Sequence, residues 1–161
     1  MNKRDAMMSQ FWSKLDESPF LMVGTFGVRM PHEPMTAYFD ADYPNRLFIF
    51  TRKDNRLVKS MVGPTEIVAE FVSKGNDFFA SLRGRPVLTT DKALIDRFWS
   101  KGVEAWYDGG KDDPMLQLMY VDLQYAELWE ADRSLLGRLK QTFGGKVDSG
   151  RGEDNHIQAH L

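Results

Sequence analysis

Cysteine is absent from the 161 residues of this chain. Disulfides, a thiolate nucleophile, iron–sulfur clusters and cysteine-type zinc sites are therefore excluded. Histidine is nearly as scarce, limited to His32, His156 and His160. His156 and His160 stand four apart, a spacing that pairs ligands on a helix, but no helical apolar pattern surrounds them. They read as an incidental pair in a tail, and His32, between Pro31 and Pro34, reads as part of a surface turn. No excess of one charge exists either. Lys and Arg number 21 against 23 Asp and Glu, for a net charge of −2, which argues against a general nucleic-acid binder. No apolar run approaches the roughly 20 residues of a membrane helix. The opening MNKRDAMMSQFW meets Lys14 and Asp16 before any long apolar stretch, unlike a secretory signal. A cytoplasmic protein is expected, with neither nucleic acid nor membrane as a partner. The G-x-S-x-G elbow, the P-loop and the dinucleotide fingerprint are all missing.

What remains is the composition of a globular domain, 42% apolar and 27% charged. A chain of this length can bury about 70% of its unfolded surface without a metal or a cross-link. The spacing of Met7, Phe11 and Leu15 predicts an amphipathic helix over 5–15, ended by Ser18-Pro19. Strand signals follow at 20–28, 35–39, 46–51 and 66–72, then at 78–82 and 86–90, with a bulge or bend at Gly84. Lys74-Gly75-Asn76-Asp77 is a hairpin connection. Asp54 is the expected cap of a helix over 55–61, and Asp91 that of a helix carrying Leu94, Ile95, Phe98 and Trp99. Strands at 116–121 and 125–129 close the series. A last helix carries Leu135, Leu136, Leu139 and Phe143. Short strands with helices at the ends and in two crossovers predict a mainly β fold, an antiparallel barrel with peripheral helices. One domain over 1–143 and a loose tail over 144–161 are expected.

Side chains able to support chemistry gather in few places. The carboxylate pairs Asp40/Asp42 and Asp112/Asp113 read as turn residues that bond solvent or local backbone. More informative is the run after the apolar strand 47–50, where Thr51, Arg52, Lys53, Asp54, Asn55, Arg56 and Lys59 collect at a helix start. Forked arginine donors match phosphate oxygens, so this turn is either a dianion site or an ordinary solvated basic turn. The aromatics Trp99, Trp106, Tyr107, Tyr125 and Trp129 supply either flat walls for a planar cofactor or core packing.

In this order, Pro34-Met35-Thr36-Ala37, then Leu47-Phe48-Ile49-Phe50-Thr51, then a basic helix start, the chain resembles the FMN-binding split β-barrels of the pyridoxamine 5′-phosphate oxidase-like superfamily. The stretch 106–114, followed by Leu118, Val121, Ala126-Glu127 and Trp129, is similar to the general stress protein 26-like branch. The resemblance implies a six-stranded antiparallel split barrel, a homodimer, and FMN in a cleft between subunits. It implies that Met35, Thr36 and Ala37 run beside the isoalloxazine ring, and that Phe50 and Thr51 meet the ring edge and phosphate. Asn55 stands where the family has Ser in the phosphate loop, and Arg56 fills the next basic position. Leu57 replaces a usual Lys, with Lys59 or Arg52 as the substitute cation. Trp129 resembles a tryptophan that closes over the flavin from the partner, and Trp106 lines the same cleft.

Two departures stand out. Glu33 replaces a basic residue and brings an acid to the phosphate site. Arg138-Leu139-Lys140-Gln141 lacks the Arg–His pair of the true oxidases, so pyridoxamine phosphate oxidation is not expected. Three readings remain open: an FMN-dependent oxidoreductase with NAD(P)H as candidate donor, a module that stores or senses flavin without turnover, and a split-barrel dimer that takes no flavin.

Overall fold

The computed structural model describes residues 1–131 and 155–161. The chain runs α1 (Lys3–Glu17), β1 (Phe20–Thr25), β2 (Glu33–Thr36), β3 (Arg46–Arg52), α2 (Arg56–Ser60), β4 (Ile67–Val72), β5 (Phe78–Thr89), α3 (Lys92–Phe98), α4 (Lys101–Glu104), β6 (Leu116–Glu130) and β7 (His156–His160). The strands form one sheet in the order β2-β1-β4-β5-β6-β3, with every named pairing antiparallel. Tyr38 closes the ring. Its backbone N–H donates to the Phe48 carbonyl at 2.8 Å, and the Phe48 N–H donates back at 2.7 Å. The antiparallel barrel expected from the sequence is therefore present, with one strand, β7, beyond the six that the resemblance implies.

The barrel splits along β6. The first half of this strand pairs β3, from Leu116 opposite Arg52 to Asp122 opposite Arg46. Its second half, Tyr125 to Trp129, pairs β7 on the same edge. The register of β5 against β6 slips between Arg83 and Gly84. A Cβ on Gly84 would fall 2.4 Å from the Asp122 carbonyl oxygen, so only glycine lets the two backbones approach this closely. The bend expected at Gly84 is this bulge. It leaves β5 a single strand where two were expected, and β6 is likewise continuous across 116–130.

Two apolar clusters fix the architecture. Leu47 and Ile49 of β3 face the barrel interior with Leu21, Val23, Ile67, Phe71, Leu82 and Met119. The alternate residue Phe48 faces outward, where Ile95 and Phe98 of α3 and Val103 of α4 cover it. Phe48 and Phe98 stack at 4.2 Å. A strand covered on both sides needs an unbroken apolar run, which is what 47–50 supplies. Helix α1 lays Met7, Phe11 and Leu15 onto the interior cluster, as their spacing predicts. Polar ties hold it there. Gln10 donates to Glu130 at 3.0 Å, Lys14 pairs with Asp77 at 3.0 Å, and Arg4 donates to the His160 carbonyl at 2.8 Å.

Strand β7 corrects the expectation of a loose tail at its far end. Residues 156–160 pair Tyr125 to Trp129 in register, Ala159 is buried, and Ile157 packs against the interior cluster. The strand rests on alternation in a short polar string, with Ile157 and Ala159 inward and the histidines outward, rather than on the helical spacing of the histidines. His156 stacks on Trp129 and bonds Glu127 at 2.7 Å. The expected helix over Leu135 to Phe143, and the rest of the expected tail to residue 154, lie outside the described residues.

Candidate functional site

Where β2 and β3 run together at the barrel's side, a cleft of about 470 Å³ opens. Its floor is made by Pro34, Met35, Thr36 and Tyr38 from the β2 segment and by Phe50, Thr51 and Arg52 from β3. Alternation aims these residues. Thr36 and Tyr38 point outward while Ala37, between them, is buried in the interior cluster. The rim comes from Phe20, Glu33, Asn55, Gly102, Val103, Trp106 and Tyr107. Trp106 is 80% exposed and Phe20 61% exposed, which is unusual for such large apolar side chains.

The cleft wall is set by one buried hydrogen bond. Tyr107 donates its hydroxyl to the Thr51 carbonyl at 2.5 Å, pinning the loop after α4 to β3. Burial pushes the Tyr107 phenol up from 10.0 to about 12. An unfolded tyrosine loses its proton first as pH rises. This group's contribution to stability is therefore intact below about pH 10 and is lost as pH climbs through about 12. Tyr107→Phe removes this hydrogen bond while Thr51 keeps its place opposite Gln117 in the β3–β6 ladder, and lowers stability by about 0.5–1.5 kcal/mol. It also flattens the alkaline limb of a denaturation-versus-pH series. A variant as stable as the parent, with an unchanged alkaline limb, contradicts this role.

The basic turn is more fully committed than its composition suggests. Asn55, not Asp54, caps α2. Its Oδ1 accepts from the Leu57 N–H at 2.7 Å, and its Nδ2 donates to Glu33 at 2.9 Å. The shift by one residue arises because Asp54 is held by Arg52 in a two-pronged pair at 3.0 and 3.2 Å. That pair lowers the Asp54 carboxyl and raises the Arg52 guanidinium, with the side-chain hydrogen bond the largest cause for each. Arg56 pairs with Glu33 and donates to the Pro31 carbonyl at 2.9 Å, inside a neighbouring crevice lined by Val28, Met30 and Pro31.

Of the residues expected at a site, Met35, Thr36, Phe50, Thr51, Arg52, Asn55 and Trp106 line this one cleft. Arg56 sits behind Glu33, Lys59 lies further along α2 beyond the lining residues, and Ala37 is in the core. Trp129 lies on the second half of β6 beside β7, outside the cleft of its own chain. Tyr38, Val103 and Phe20 were missed as lining residues. Extending the β2 alternation by two residues points to Tyr38, whereas Val103 reaches the cleft only through the packing of α4. Of the carboxylate pairs, Asp113 bonds local backbone as expected of a turn residue, whereas Asp40, besides accepting the Asp42 N–H, and Asp42 depart from that expectation by gripping a distant arginine of α3. Asp40 and Asp42 both bind Arg97, and Asp113 accepts the N–H groups of Met115 and Gly109, which hold its carboxyl below the usual range.

An apolar trough with hydroxyls, an amide and a guanidinium at one end suits a flat heterocycle with a polar tail. The chain matches the family described as pyridoxamine 5′-phosphate oxidase like over residues 6–152. Among solved structures it is similar to a general stress FMN/FAD binding protein from Xanthomonas citri. The two share 37% identity with a TM-score of 0.75, over 81% of this chain and 93% of that one. A general stress family protein from Xanthomonas campestris pv. campestris shares 38% identity over 84% and 93% of the two chains, with a TM-score of 0.75. A Clostridium acetobutylicum protein related to general stress protein 26 shares the fold at 17% identity, with a TM-score of 0.71 over 100% and 97%. No curated protein matches the chain. The chain belongs to the pyridoxamine 5′-phosphate oxidase-like family, in its general stress protein branch.

Proposed function

We propose that the protein is a cytoplasmic homodimer that binds FMN in the cleft between β2 and β3 and serves as a flavin-dependent oxidoreductase. The observation that carries this reading is the convergence of Met35, Thr36, Phe50, Thr51, Arg52, Asn55 and Trp106 on one cleft large enough for such a ligand. The binding of FMN or FAD by the Xanthomonas citri relative supports it. The residues present fit the group. Trp106, Tyr38 and Phe50 offer apolar walls, Thr36 and Thr51 hydroxyls suit a ring edge, and Arg52 and Asn55 stand at the polar end.

A bound flavin supplies hydride and electron transfer, and the protein supplies anchoring, orientation and exclusion of water. NAD(P)H is the proposed electron donor. Exposed Phe20, Met22 and Trp106 support a dimer, because a second copy would cover them. Trp129 is the residue proposed to reach that copy's cleft.

A second reading, storage or sensing of flavin without turnover, is favoured by the lining itself. Among the described residues, the cleft's only carboxylate is Glu33, already paired, and it contains no histidine. Equilibrium titration with FMN tests the site. Stopped-flow mixing of the flavin-loaded protein with NAD(P)H then separates the readings: rapid, donor-selective reduction marks the oxidoreductase, and slow, unselective reduction marks the binder.

A further inference from the structure

Both arginines of the basic turn, Arg52 in the cleft lining and Arg56 behind Glu33, are already neutralised. Arg52 is held by Asp54 through two hydrogen bonds. Arg56 is held by Glu33, and the remaining oxygen of Glu33 takes the Asn55 amide at 2.9 Å. Glu33 thus occupies the two donors, one amide and one guanidinium, that a terminal phosphate at this end would need. A carboxylate and a phosphoryl oxygen compete for the same forked donors, and a dianion placed beside Glu33 also meets its charge.

We infer that Glu33 is a specificity-determining residue that suppresses recognition of the flavin phosphate, so that the site holds flavins mainly by their rings and takes riboflavin nearly as well as FMN. This inference rests on the flavin reading of the cleft. Its geometric basis is the placement of Glu33. Its backbone is fixed on β2 opposite Val23, while its side chain lines the cleft and spans to α2. The Arg56 guanidinium is drawn away by the Pro31 carbonyl as well, which keeps it behind the carboxylate and out of the lining.

The test compares the full-length chain with Glu33→Gln. Dissociation constants for riboflavin and FMN are read by fluorescence quenching. In the parent the two ligands differ by less than about tenfold. In Glu33→Gln, where Arg56 loses its counter-charge and a phosphate no longer meets a carboxylate, the preference for FMN over riboflavin rises by about ten- to hundredfold, the range for hydrogen bonds to a charged group. Adding Arg56→Ala to Glu33→Gln removes most of that gain, and this pairing separates a released donor from a general change in the cleft. An unchanged ratio in Glu33→Gln overturns the inference while leaving the flavin site standing, because riboflavin still binds. A parent that already favours FMN by more than about a hundredfold overturns it as well. If neither flavin binds the parent or the variant, the flavin reading itself is wrong and the inference falls with it.

Discussion

Phe11→Ala lowers the stability of this protein by about 3–5 kcal/mol, the range for emptying a buried aromatic site. Phe11 has no exposed surface. Its ring meets Phe71 edge-on at 5.8 Å and Trp12 at 4.9 Å. Its neighbours on α1, Met7 and Leu15, are buried in the same interior cluster. The cavity cannot close by collapse, because α1 is tied at several points: Lys14 to Asp77, Gln10 to Glu130, and Arg4 to the end of β7. For a chain of this size the midpoint of thermal unfolding falls by about 6–20 °C. Denaturant unfolding followed by tryptophan fluorescence measures the loss directly. A cost under about 1 kcal/mol shows that α1 does not complete the core and that the barrel stands without it.

The second large effect falls on binding. Trp106→Ala weakens FMN and riboflavin alike, by about one to two orders of magnitude, as expected when a ligand no longer covers a large aromatic side chain. Trp106 lies on the cleft rim with most of its surface bare, and its backbone N–H bonds the Val103 carbonyl at 3.0 Å. It makes little contact with the core, so the folded state loses little on its removal. That separation between affinity and stability is the useful readout. A variant with normal affinity for both flavins places the heterocycle away from this rim. A variant selectively weakened for FMN assigns Trp106 to the phosphate end.

The same physical rules show why parts of the molecule were legible in the sequence and others were not. The run 47–50 announced a strand because both its faces are buried, and Met7, Phe11 and Leu15 announced a helix because all three meet one apolar surface. Gly84 announced a bend because two backbones must nearly touch there. Each of these signals is local. The β7 pairing is not local. His156 to His160 read as a polar tail, and only the free edge of β6, some thirty residues away in sequence, makes them a strand. The cleft shows the same divide. Met35, Thr36, Phe50 and Thr51 were legible through strand order and family resemblance, while Val103 enters through a helix crossing that no periodicity encodes. The basic turn was legible as a cluster of cations. Composition alone cannot show that Asp54 and Glu33 have already claimed both arginines, since that depends on strand β2 delivering Glu33 to the foot of α2.

The proposed function puts a flavin ring in the cleft between β2 and β3, against Trp106. Titration of the purified full-length chain with FMN, followed by absorption and by flavin fluorescence, tests it most directly. Saturable quenching with one flavin per chain, a perturbed visible spectrum, and competition by riboflavin for the same site are the expected results. A colourless protein that leaves the fluorescence of added FMN unchanged, or one that binds FMN with undiminished affinity after Trp106→Ala, contradicts it.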